Sequence, residues 1–192
     1  MSKILANGGD KEKRRALDFY PTPPEVTVAL CEFLKREIAP AMRHNGCHEP
    51  ACGEGHMSKV LEKYFKKVYS TDIRDTGFGS VLDFLEATPV GWDARVCITN
   101  PPFDRSEEFI RKAVKEYSVT AMLLKSQYWH AAKRQKLFEE TKPAYVLPLT
   151  WRPDFLFDTR GEKKAAPTME VLWTVWVRGY VGHAKYIPLS KP

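Results

Sequence analysis

Apolar positions along this chain alternate between a helical and a strand-like spacing. After a polar start, Val26, Leu30, Phe33, Leu34 and Ile38 recur at the period of an amphipathic helix. Thr22 suits its N-cap, Pro23 its first helical position and Glu25 the third, and Pro40 lies just past its end. Short apolar runs at residues 47–51, 68–71, 95–99, 119–124, 144–149 and 169–177 predict strands. Between them, Met57, Val60, Leu61 and Tyr64 predict one helix face. Asp104 and Glu107 predict a capping box for a helix with Phe109, Ile110, Ala113, Val114 and Tyr117 inward, and residues 129–140 predict another helix. Residues 181–187 are expected to form a hairpin with the last long strand across Gly179. Strands alternate with helices until the C-terminal end, where strands follow one another. That order predicts an α/β fold with an antiparallel element at its C-terminal edge.

Of the 192 residues, 43% are hydrophobic, enough for one folded domain over residues 19–192 behind a polar arm at 1–18. Thirty Lys and Arg against 24 Asp and Glu leave a charge of +6, which suits a polyanionic partner or simple solubility. No apolar run is long enough to cross a bilayer and the N-terminus lacks a signal-peptide core, so a cytoplasmic protein is expected. Four cysteines without CxxC spacing do not suggest disulfides. His44, Cys47, His48, Cys52 and His56 cluster in sequence, but their spacing fits no common zinc site, and no metal is expected.

The most specific segment is Asn100-Pro101-Pro102-Phe103, directly after the apolar run at 95–99. Two prolines fix an extended turn and donate no hydrogen bonds. Such a turn holds one amide and one aromatic ring in fixed relation. The amide oxygen and neighbouring carbonyls can accept from an amino group while the ring stacks on a flat base.

A second cluster points to a nucleoside cofactor. Glu49-Pro50-Ala51-Cys52-Gly53-Glu54-Gly55 sits at a strand-to-helix junction, where glycines allow close backbone approach. The dinucleotide fingerprint GxGxxG and a Walker lysine are both absent. Asp72 ends the next strand, where an acid can accept from both ribose hydroxyls. Asp83 suits an adenine amino group, with Phe84 against the ring. Each residue also has a plain structural reading: Glu49 as a turn cap, Asp72 as a loop acid, Phe84 as core. The order in which they occur, with the proline turn behind them, favours the cofactor reading.

Together these segments resemble the S-adenosylmethionine-dependent methyltransferases that act on the adenine amino group of DNA. Phe19-Tyr20-Pro21-Thr22-Pro23 is similar to the family's N-terminal cofactor motif, and residues 49–55 to its glycine motif. Asp72, with Ile73 beside it, matches the ribose acid, and Asp83-Phe84 the adenine-contacting pair. Asn100 to Phe103 resembles the catalytic motif, with Phe where many members have Tyr. The motif order resembles the gamma arrangement, and the small enzymes of phages and prophages are the nearest in kind. The resemblance implies a Rossmann-like class I fold with a mostly parallel seven-stranded sheet, an antiparallel C-terminal edge strand and helices on both faces. It implies S-adenosylmethionine as cofactor, bound by Tyr20, Pro21, Thr22, Glu49, Pro50, Ala51, Gly53, Gly55, Asp72, Ile73, Asp83 and Phe84. It implies catalysis by Asn100, Pro101, Pro102 and Phe103 on a flipped adenine. Unlike many gamma enzymes, this chain has only about ninety residues after the motif, so no separate target-recognition domain is expected and sequence specificity should be short or relaxed.

Two basic and aromatic segments are expected to touch DNA: Lys125, Tyr128, Trp129, Lys133 and Arg134, then Arg152, Arg160, Lys163 and Lys164 in a long loop. Trp173 and Trp176 lie in an apolar strand and are expected in the core. Related tetrapeptides also serve enzymes acting on RNA adenine, cytosine amino groups or protein glutamine. A catalytically silent DNA-binding or anti-restriction module of the same fold is the alternative of a different class.

Overall fold

A computed structural model describes residues 21–38, 46–87, 91–155 and 169–192. The expected N-terminal arm lies outside these residues, as do Tyr20, His44, Arg160, Lys163 and Lys164. In chain order the elements are α1 (Pro24–Glu37), β1 (Gly46–Glu49), α2 (Ser58–Leu61), β2 (Val68–Asp72), β3 (Ser80–Val81), β4 (Ala94–Thr99), α3 (Ser106–Glu116) and β5 (Val119–Lys125). Two 3₁₀ turns (Tyr128–His130 and Ala132–Arg134) lead into α4 (Gln135–Thr141), followed by β6 (Tyr145–Pro148), β7 (Val171–Val177) and β8 (Lys185–Tyr186).

The described strands form one sheet in the order β3-β2-β1-β4-β5-β7-β6-β8. All neighbours pair in parallel except β7, which is antiparallel to both β5 and β6. The α/β class, the mostly parallel sheet and the antiparallel C-terminal strand are therefore present. Three details differ from expectation. The sheet has eight strands rather than seven, because Ser80–Val81 adds a short strand beside β2. Residues 185–186 pair with β6 in parallel instead of folding back on β7 as a hairpin. The antiparallel strand is inserted between β5 and β6 rather than lying at the edge, and its seven-residue ladder with β5 runs from Val119↔Val177 to Lys125↔Val171.

Strand alternation divides the core between the two faces. Ala121 and Leu123 of β5 and Trp173 and Val175 of β7 join the α1 face with Leu30, Phe33, Leu34, Met57 and Leu61. Met122, Leu124, Leu172 and Trp176 join the opposite face with Phe109, Ile110 and Ala113 of α3 and Leu137 of α4. Trp173 and Trp176 are both buried, as expected, and the Trp173 indole donates to the Val26 carbonyl at 3.1 Å, tying β7 to α1.

Three local expectations are corrected. Helix α1 starts one residue later than the capping pattern suggests: Pro23 is its N-cap and Pro24 its first residue, with no side-chain cap. Helix α3 has Arg105 as N-cap and no side-chain cap, so the Asp104–Glu107 box does not form. Glu107 instead pairs with Arg111 at 3.0 Å and with Arg134. The helix expected over 129–140 is broken into two 3₁₀ turns and the short α4. Its Trp129 side chain turns inward and donates to Thr174 Oγ1 of β7 at 3.1 Å.

Candidate active site

Parallel pairing brings the carboxyl ends of β1, β2, β3 and β4 to one edge of the sheet, where open α/β sheets place their ligands. A cavity of about 280 Å³ lies there. It is lined by Pro21, Thr22, Glu49, Pro50, Ala51, Asp72, Ile73, Asp83, Phe84 and Asn100 to Phe103, all singled out from sequence. Residues separated by as many as 82 positions in the chain thus share one concave site.

Glycine makes the β1–α2 turn possible. Gly53 and Gly55 have φ of 50° and 82°, in the left-handed region that side chains disfavour. A Cβ on Gly55 would also lie 2.4 Å from the Phe78 ring. The segment after β2 folds back over this turn: Thr76 Oγ1 donates to the Gly53 carbonyl at 2.6 Å. Gly53 N–H in turn donates to Asp72 Oδ2 at 2.9 Å, while Arg74 N and Nε donate to Oδ1 at 3.0 and 3.2 Å. The buried Asp72 carboxylate is therefore held at the cavity wall, with Ile73 beside it 58% exposed despite being a large apolar side chain.

Glu49 is 2% exposed. Burial pushes its carboxyl well above the ordinary carboxylate range. The hydrogen bond from Ser58 opposes that shift and the nearby Asp72 charge adds to it. Asp83 Oδ1 accepts from Leu85 N–H at 2.8 Å, which sets the loop after β3. Phe84 is 1% exposed and packs on Phe109 with ring centroids 4.9 Å apart, so it serves the core as well as the cavity wall.

Asn100 follows the last residue of β4. Its Nδ2 donates to Thr22 Oγ1 at 3.2 Å. Past the prolines, Ser106 Oγ donates to the carbonyls of Pro102 and Phe103 at 3.1 Å each, and Arg105 N–H donates to Pro102 O at 3.0 Å. The start of α3 thereby fastens the turn. Phe103 is half-buried, with the Lys125 ammonium 4.4 Å from its ring centroid.

The segments expected at DNA divide in two. Lys125 reaches the site through Phe103, and Lys133 is exposed. Tyr128 and Arg134 stack on each other at 4.3 Å, Arg134 pairs with Glu107, and Trp129 is tied to β7. Arg152 pairs with Glu170 at 2.6 Å. Much of the basic and aromatic pattern in 128–134 is thus used inside the fold.

The cavity wall also includes Cys52, His56, Met57, Arg74, Leu85, Asp104, Arg105 and Phe109, which sequence reading did not select. Several directly neighbour selected residues, the one signal that would have found them. Burial pushes the Cys52 thiol up to about 12, with Glu49 and Asp72 adding to the rise, so it is not poised as a nucleophile. His48 is occupied by Tyr117 and Thr71, and no group of three or more possible metal ligands occurs among the described residues.

No family model matches the chain, and no curated protein matches its sequence. Solved structures do share the fold. A candidate RNA methyltransferase from Pyrococcus horikoshii superposes with a TM-score of 0.61 at 16% identity, covering 82% of this chain and 86% of its own. An O-methyltransferase from Thermotoga maritima, S-adenosylmethionine-dependent, gives 0.55 at 13% identity, over 88% and 72%. The methyltransferase subunit of a type I restriction-modification system from Streptococcus thermophilus gives 0.65 at 12% identity; it covers 88% of this chain, which spans about half the subunit's length (47%). The chain therefore has the Rossmann-like fold found in methyltransferases.

Proposed function

We propose that this protein transfers a methyl group from S-adenosylmethionine to the N6 amino group of adenine in DNA, with short or relaxed sequence specificity. The observation that carries this reading is that Asn100 and Phe103 of the proline turn line the same cavity as Asp72 and Ile73. An amide acceptor and an aromatic ring thus face a site suited to a nucleoside.

The residues present fit the cofactor. A cavity of about 280 Å³ is near the lower end of the roughly 300–1,000 Å³ usual for small-molecule sites. Asp72 suits ribose hydroxyls, exposed Ile73 an adenine face, Asp83 an exocyclic amine, and the glycine turn gives close backbone approach. Once bound, the cofactor supplies an electrophilic methyl group on a positively charged sulfur.

The chain's own residues then orient the acceptor. An adenine inside a duplex must leave the stack to reach the cavity. Phe103 stacks on the base. Asn100 Oδ1 and the Pro101 carbonyl accept hydrogen bonds from the amino group and keep its lone pair directed at the methyl carbon. With the cofactor bound, the amino nitrogen held by Asn100 and Pro101 would accept the methyl group in exchange for its bond to sulfur and would lose one proton to solvent. No nucleophilic side chain is needed, in keeping with the raised Cys52 thiol. Alignment of this kind is worth about 7–11 kcal/mol of barrier. Lys125, over one face of Phe103, is suited to meet the phosphate of the flipped nucleotide.

Incubation with labelled S-adenosylmethionine and, separately, duplex DNA, RNA and protein extract tests the substrate class. Label in DNA is expected. Label confined to RNA or protein would overturn the DNA assignment, and no label with any substrate would overturn the enzymatic one.

A further inference from the structure

Thr22 and Asn100 lie 78 residues apart in sequence, one ahead of α1 and the other at the end of β4, yet their side chains are hydrogen-bonded. Thr22 is 4% exposed and Asn100 half-buried, so water competes poorly for the contact. The two ends of a primary amide are almost equal in shape and opposite in character: NH₂ only donates and the oxygen only accepts. Packing alone therefore does not choose between the two flips of Asn100. A hydrogen-bonding partner does.

We propose that Thr22 is a positioning residue for Asn100, its hydroxyl holding the Nδ2 end so that the Oδ1 end is presented to the amino group of the substrate. A threonine hydroxyl carries a single hydrogen and two lone pairs. When an acceptor in the cavity takes that hydrogen, the hydroxyl can only accept from Asn100, and only one flip satisfies it. Thr22 lines the same cavity, so an acceptor bound there can reach the hydroxyl. Occupancy of the cofactor site then favours, at the Thr22 contact, the orientation of the amide on which transfer depends. This role rests on the methyl-transfer reading for its kinetic consequence and on the Thr22–Asn100 bond alone for its structural one.

Thr22→Val keeps the shape and removes the hydroxyl; Thr22→Ser keeps the hydroxyl. Both are to be compared with wild type by kcat and KM on duplex DNA and by ¹H–¹⁵N NMR of the Asn100 side-chain amide. The expected result for Thr22→Val is a kcat lower by about five- to tenfold, with KM for DNA within about twofold. Thr22→Ser should recover most of the loss. The Asn100 amide protons should shift and exchange faster with solvent in Thr22→Val but not in Thr22→Ser. A Thr22→Val enzyme with unchanged kcat, or a Thr22→Ser enzyme impaired equally, would overturn the positioning role. So would a loss confined to cofactor KM, since that marks a cofactor contact only. Absence of methyl transfer by wild type would defeat the functional reading instead, while an Asn100 amide signal indifferent to Thr22→Val would defeat this inference by itself.

Discussion

The backbone N–H of Gly53 donates to Oδ2 of Asp72 at 2.9 Å, joining the glycine turn after β1 to the acid at the end of β2. Arg74 holds the other carboxylate oxygen. Asp72 thus fixes the shape of the turn and, in the proposed function, also holds the cofactor, so Asp72→Ala should damage both. Charge-assisted hydrogen bonds lost to the ribose should cost about 1.5–3 kcal/mol of cofactor affinity, and the melting temperature should fall. Calorimetric titration with S-adenosylmethionine checks the first effect; an unchanged dissociation constant would contradict it.

Gly55→Ala should be among the more damaging substitutions in the molecule for its size. The added methyl meets the Phe78 ring at 2.4 Å on a residue whose φ is 82°. Destabilisation of about 1–3 kcal/mol is expected from strain of this kind. Adding Phe78→Leu should return part of it by opening space, leaving the backbone penalty. Chemical denaturation of the single and double variants measures both terms, and full stability in Gly55→Ala would show that the turn tolerates a side chain.

Acid stability should depend on His48. Its ring lies among Tyr117, Thr71, Phe84, Trp92 and the Lys112 charge, and burial followed by Lys112 lowers its pKa from 6.5 to about 4. Below pH 6.5 the unfolded chain takes up the proton first, so the contribution is fully present above that value and is lost as pH falls towards 4. His48→Gln should remove this dependence. Unfolding free energies of both proteins across that range check it, and a wild-type minus variant difference that stays constant with pH would contradict it.

The elements of the site that are consecutive in the chain were the ones legible in its sequence. Asn100 to Phe103, the glycine turn and Asp72 each follow an apolar run, so strand ends could be located and their residues assigned to one sheet edge. Contacts created only by packing were not legible. The Thr22 hydroxyl reads as a helix cap, yet with Pro23 in the cap position it meets Asn100 instead. Tyr128, Trp129 and Arg134 read as a nucleic-acid surface because composition cannot show direction. In the fold, Trp129 reaches Thr174 and Arg134 lies over Tyr128. The place of β7 between β5 and β6 is likewise a long-range choice: its two pairings span the long connections on either side and leave no local mark.

In the proposed function Asn100 orients an adenine amino group for methyl transfer. The most direct test of this role is nucleoside mass spectrometry of duplex DNA incubated with S-adenosylmethionine and either wild-type protein or Asn100→Ala. N6-methyladenine is expected with wild type, and its loss by at least about a hundredfold with Asn100→Ala, while cofactor binding persists. Methyladenine formed equally by both proteins, or a methyl group found on another nucleoside, would contradict it.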